Sequence, residues 1–157
     1  LTLNEALQSA KGRVILDLDI KRGPIDAIVS RVIEADATDW ALFFSGNLAI
    51  TQAAFDLNPN LLLMPRARDL QMTREAAQRF HPEVIHIDPS FNSAATTAAA
   101  KQSDSRVWIN ALGAPDVMIL SGRSEDALEP LLAFGASIVQ TDLPAQVIAY
   151  LQATGRR

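Results

Sequence analysis

Apolar residues along this chain fall into short runs, and each run is followed by a stretch with helical spacing. The first run, "RVILDLDIK", alternates: Val14, Leu16, Leu18 and Ile20 share one face of a strand, and Arg13, Ile15, Asp17, Asp19 and Lys21 share the other. The pattern places the first four in a core facing helices. Next comes "GPIDAIVSRVIEADA", in which Ile25, Ile28, Val29, Val32 and Ile33 form a helix face and Pro24 stands where a first turn tolerates it. The alternation then repeats. "WALFFSG" precedes "LAITQAAFDL", closed by Asn58-Pro59, and "LLLMPRA" precedes "TREAAQRF". "EVIHIDPS" precedes an alanine-rich helix from Asn92 to Lys101. "RVWINALG" leads through a longer loop to "SEDALEPLLAFG", with Ser124 as the expected N-cap and Gly135 as the stop. "ASIVQTD" and "LPAQVIAYLQATG" close the chain, and a further helix is expected from Thr2 to Ala10.

About six strand–helix units thus run through residues 1–157 with no linker or low-complexity break, which predicts one α/β domain with a parallel sheet. Two architectures fit. An open doubly wound sheet has no length deficit, whereas a (β/α) barrel of the TIM type ordinarily takes about 250 residues and eight units. On that count the open sheet leads slightly.

Polar residues at the strand ends shift the balance. Asp17, Asp19 and Lys21 end the first strand, Ser45 and Asn47 the second, and Arg66 the third. His86 and Asp88 end the fourth, Trp108 and Asn110 the fifth, Gln140 and Asp142 the sixth. A ring drawn from every strand suits a barrel mouth better than a crevice at one switch point. Each residue also has a plain structural reading. Asp19 with Lys21 reads equally as an internal salt bridge, His86 as a hydrogen-bonded core or rim histidine, Trp108 as packing and Asp142 as a helix cap. Arg66 is either a solvated loop cation or a holder of anions.

Composition narrows the field less. With 48% hydrophobic and 20% charged residues the chain reads as globular, and a net charge of −4 gives no reason to expect a nucleic-acid partner. No apolar run is long enough to span a bilayer. The absence of cysteine excludes disulfides and thiolate metal sites, and two histidines cannot make a rich metal site. No signal peptide is visible; a first residue of Leu rather than Met leads us to expect a processed or trimmed product, so the compartment stays open.

The order of the pieces is more specific. "TLNEAL", a strand ending "DLDIK", then "VWINALG", then "GASIVQTDLPAQVIAYL" resembles the glycerophosphodiester phosphodiesterase family, from Thr2 to about Leu151. There the segments read roughly as a Thr-Leu-Glu-Glu-Ala-Leu helix, a strand ending Glu-Ile-Lys, a strand with Trp and Asn, and a closing Thr-Asp-x-Pro. The resemblance implies a TIM-type barrel, a divalent metal (Mg²⁺ or Ca²⁺) and hydrolysis of glycerophosphodiesters, as in lipid metabolism, to glycerol 3-phosphate and an alcohol. It makes Asp19 a metal ligand, with Asp in place of Glu, and Lys21 the stabiliser of phosphodiester charge. Trp108 becomes a wall of the substrate cleft, and Arg66 and Asn110 become substrate contacts, the substrate being a glycerophosphodiester or another small phosphate ester.

The front of the family pattern has no counterpart. Family members begin with two more strands, which carry a His-Arg-Gly, a Glu-Asn, a Glu-x-Asp and a second His, and these supply the general acid and base. Neither His81 nor His86 stands in such a context. The six units therefore correspond to the third through eighth of the barrel. The expectation is an incomplete barrel that does not catalyse efficiently alone. Its alternative is a non-catalytic oligomerising or ligand-binding scaffold, and unpaired edge strands make a homo-oligomer the expected state.

Overall fold

A computed structural model describes residues 1–156. Six strands, β1 (Leu16–Asp19), β2 (Ala41–Ser45), β3 (Leu62–Ala67), β4 (Val84–Ile87), β5 (Arg106–Asn110) and β6 (Ile138–Gln140), lie in chain order, and each is parallel to the next. Among the described residues neither β1 nor β6 has a second neighbour, so the sheet is an open arc. Eight helices accompany it: α1 (Leu3–Ala10), α2 (Ile25–Glu34), α3 (Leu48–Leu57), α4 (Leu70–Phe80), α5 (Ala94–Lys101), α6 (Ala114–Leu120), α7 (Ser124–Leu132) and α8 (Pro144–Ala153).

The two faces of the sheet settle the architecture. Phe43, Leu63, Ile85, Ile87, Val107 and Ile109 join Val29, Val32, Ala54, Ala76, Leu128 and Val147 of the helices in one large core. The alternate positions, Leu42, Phe44, Met64 and Val84 with Leu62, Trp108 and Ile138, form a second cluster made of strand residues only. Helices therefore cover one face and leave the other as a concave trough. A doubly wound sheet would bury both faces under helices, so the arc is that of an incomplete TIM-type barrel.

Several local expectations are met. The first helix forms as expected and ends at Ala10, although Thr2 is its cap, in a capping box with Glu5, rather than its first residue. Gly135 ends the segment after α7 with φ +87°. Other expectations need correction. Val14 is not in the core: it is 61% exposed, and Ile15 is 66% exposed. The amides of Arg13 and Val14 turn back to the Ala10 carbonyl, and pairing with β2 starts only at Leu16, whose amide donates to the Trp40 carbonyl. Gly12 makes that turn possible at φ +71°. Ser124 is the first residue of α7 rather than its cap; Arg123 stands at the cap position, with no side-chain hydrogen bond there. The expected loop after β5 contains α6, a helix hidden from periodicity by its seven-residue length.

Candidate functional site

Parity along the strands decides what reaches the trough. Leu16 and Leu18 pack toward the helices, so Asp17 and Asp19 point the other way. The same alternation turns Arg66, His86, Trp108, Asn110 and Gln140 inward from β3 to β6. Together with Lys21, Phe44, Met64 and Leu112 they line a cavity of about 230 Å³ at the C-terminal ends of the strands. Eight of the candidates read from the sequence thus meet: Asp17, Asp19, Lys21, Arg66, His86, Trp108 and Asn110 line it, and Asp88 joins through Arg66.

Ser45 and Asp142 do not join them. Ser45 is buried on the helix side, where its hydroxyl donates to the Ile20 carbonyl and accepts from the Asn47 amide. The Asp142 side chain lies outside the lining, and its amide donates to Oδ2 of Asp116 at 3.0 Å. Nor does Asp142 cap α8, since the cap position falls on Leu143. Asp116, unnoticed in the sequence, is buried on α6 and also accepts from the Thr141 hydroxyl at 2.5 Å. The Thr-Asp-Leu-Pro ending here locks the last turn.

At the β1 end, Lys21 Nζ lies 2.7 Å from Asp19 Oδ2 and 5.8 Å from the centre of the Phe44 ring. Both charged side chains are well exposed, so the pair contributes at most about 1 kcal/mol and leaves the lysine free to turn to an anion. Asp17 lines the same trough and is likewise an exposed residue. Desolvation in the trough, then the Asp19 carboxylate, push its carboxyl up to about 6, against the pull of Lys21.

At the centre, Arg66 grips Asp88 with two parallel bonds, Nε to Oδ1 at 2.7 Å and Nη2 to Oδ2 at 2.9 Å. His86 lies beneath, 5% exposed, its ring 5.2 Å from that of Phe44. Its Nε2 is buried without a partner and stands 3.8 Å from Asp88 Oδ1, beyond hydrogen-bond reach. Burial pushes the imidazole down to about 4; Asp88 and Asp19 raise it and Arg66 lowers it, and desolvation wins. Such a ring is neutral at pH 7, and although it borders the cavity its Nε2 is buried. His81 caps α4 at the opposite, N-terminal end of β4. The two histidines therefore lie at opposite ends of β4 and do not face each other across the trough.

Farther round, Trp108 Nε1 donates to Gln140 Oε1 at 3.4 Å and the indole forms a wall. Asn110 Oδ1 accepts the Leu112 amide at 2.6 Å, so this side chain shapes the loop as well as lining the cavity. A divalent metal does not fit the donors present. Among the described residues no group of three or more His, Cys, Asp or Glu side chains is placed to hold a metal ion.

No protein-family model matches the sequence, and no curated protein matches it. Solved structures do match the fold. A glycerophosphoryl diester phosphodiesterase from Parabacteroides distasonis aligns with a TM-score of 0.79 at 18% identity, over 98% of this chain and 55% of that one. A glycerophosphodiester phosphodiesterase from Agrobacterium tumefaciens gives 0.68 at 14% identity, over 94% of this chain and 60% of that one. The chain thus spans 55% and 60% of the length of these two structures. At such identity the likeness is one of fold, and it falls on the same group of proteins that the sequence resembles. No helix of the described residues is long and apolar enough to cross a membrane.

Proposed function

We propose that this chain supplies the third to eighth strand–helix units of a glycerophosphodiester phosphodiesterase barrel. In the complete barrel the reaction would be hydrolysis of a glycerophosphodiester to glycerol 3-phosphate and an alcohol. The observation that carries this reading is the Asp19–Lys21 pair, set at a strand end in the mouth of a barrel arc. Lys21 would neutralise charge on the phosphodiester oxygens, since its ammonium is exposed and only loosely held by Asp19. Trp108 would wall the cleft, and Arg66 and Asn110 would contact the substrate. Asp19 could contribute one ligand to a divalent metal only if further carboxylates came from outside these residues.

A histidine pair for general acid–base catalysis is the part this trough lacks, because Nε2 of His86 is buried and His81 lies at the other end of β4. The isolated chain is therefore a phosphodiester-binding arc rather than an efficient hydrolase. Calorimetric titration with glycerol 3-phosphate tests it. Binding should be measurable at millimolar ligand and weaken several-fold in Lys21→Ala. Absence of binding, or binding indifferent to Lys21, overturns the reading.

A second reading, an oligomerising scaffold without chemistry, is favoured by one observation. β1 and β6 each pair with a single neighbour, and the amides of Asp17 and Asp19 alternate with those of Leu16 and Ile20, which donate toward β2.

A further inference from the structure

We propose that Arg68, beside the clamped Arg66, forms an anion subsite at the rim of the trough and selects phosphodiesters whose alcohol carries a second negative group. The inference rests on the phosphodiester reading of the Asp19–Lys21 end and names the substrate class that end would serve. Its centre is Gly46, which follows β2. A Cβ placed there would lie 3.7 Å from a terminal guanidinium nitrogen of Arg68 and 3.8 Å from Cδ of Arg66. Both arginines of the β3 end thus lean over the one residue that offers them no side chain. The register agrees, since Ser45 pairs with Pro65 and sets Gly46 beside Arg66.

Charge at this spot is unbalanced in one direction. Arg66 spends two of its five donors on Asp88 and keeps three. Arg68 is exposed, and among the described residues no carboxylate comes within ion-pair distance of it. Asp69, its neighbour in sequence, is committed elsewhere: its side chain caps α4 by accepting the Met72 amide at 2.7 Å. Asp88 therefore offsets one guanidinium and nothing offsets the other.

Spacing fits a single ligand. β3 lies two strands from β1, about 10 Å across the sheet, and the long Lys21 and Arg68 side chains shorten that span. One small phosphodiester could hold its phosphate at Lys21 and present a carboxylate or phosphate to Arg68. A cationic alcohol would meet Arg68 unfavourably.

Glycerophosphoserine and glycerophosphoethanolamine differ by one carboxylate, so titrating the chain with each by calorimetry at low salt isolates the subsite. The serine ester should bind about three- to ten-fold tighter, and Arg68→Gln should erase the difference. Lys21→Ala should weaken both esters alike. Equal affinities in the unmodified chain, or a serine preference that survives Arg68→Gln, overturn the subsite and leave the phosphodiester reading standing. If neither ester binds the unmodified chain, both fall together.

Discussion

Replacing His86 by leucine should remove a large part of the acid sensitivity of this fold. In the unfolded chain the imidazole titrates near 6.5, whereas in the folded chain burial holds it at about 4. The folded pKa is depressed, so the unfolded chain binds the extra proton first. The stability that goes with a neutral His86 is fully present above about pH 6.5 and is lost as pH falls toward the folded value. Linkage with those two values gives a loss of about 2 kcal/mol by pH 5 and about 3 kcal/mol by pH 4, a large share of a typical domain's stability. Leucine also removes the unpartnered Nε2, so the variant should be close to the parent in stability at pH 7.5. Urea unfolding of both proteins at pH 7.5, 5.5 and 4.5 measures the effect. The gap between them should widen in the variant's favour as pH falls, and the carboxylates common to both cancel. Parallel losses in parent and variant would show that His86 is accessible and ionises freely, and the argument that burial keeps it neutral would go with it.

Asp17 should act in the opposite sense. Its folded pKa is raised to about 6, so its contribution favours the fold below the unfolded value of 3.8 and is lost as pH rises through 6. Asp17→Asn should stabilise the chain at pH 7.5 by up to about 1 kcal/mol after allowance for solvent screening, with no gain at pH 3.5; a variant less stable at both pH values would sink this. The isolated chain should hydrolyse glycerophosphocholine at no useful rate, because the matched histidine pair that would supply acid–base catalysis worth about 10² to 10⁴-fold is absent from it. Enzyme-like turnover that survives repurification and is abolished by Lys21→Ala would prove otherwise. Finally, the open β1 and β6 edges should make the chain self-associate at low micromolar concentration, and a clean monomer near 17.0 kDa in sedimentation would refute that.

The helix–strand alternation was legible in the sequence because its signals are local. Period-two and period-3.6 patterns and a stop at Gly135 depend on neighbours in the chain. Choosing a barrel arc over a flat sheet was harder, since both demand the same apolar strands. What separates them is whether Leu42, Phe44 and Met64 meet helices or one another, which is a tertiary fact. Val14 leaves the core for a related reason: the alternation starts two residues before backbone pairing does, and only the fold of the Lys11–Arg13 turn shows it.

The site followed the same division. Asp19, Lys21, Arg66, His86 and Trp108 were found because inward-facing polar residues at strand ends break an apolar pattern. Ser45 broke it equally and serves only the backbone, since its parity sends it to the helix side. Arg68 left no such mark, being one more cation in a polar loop. Its place at the rim depends on Gly46 arriving from another strand. His86 shows the limit most sharply. A histidine two residues before an aspartate invites a catalytic reading, yet Asp88 pairs with Arg66 instead, and burial keeps the ring neutral at pH 7. In the proposed reading the exposed cations hold the phosphodiester, which is why binding, rather than turnover, is the property to measure first.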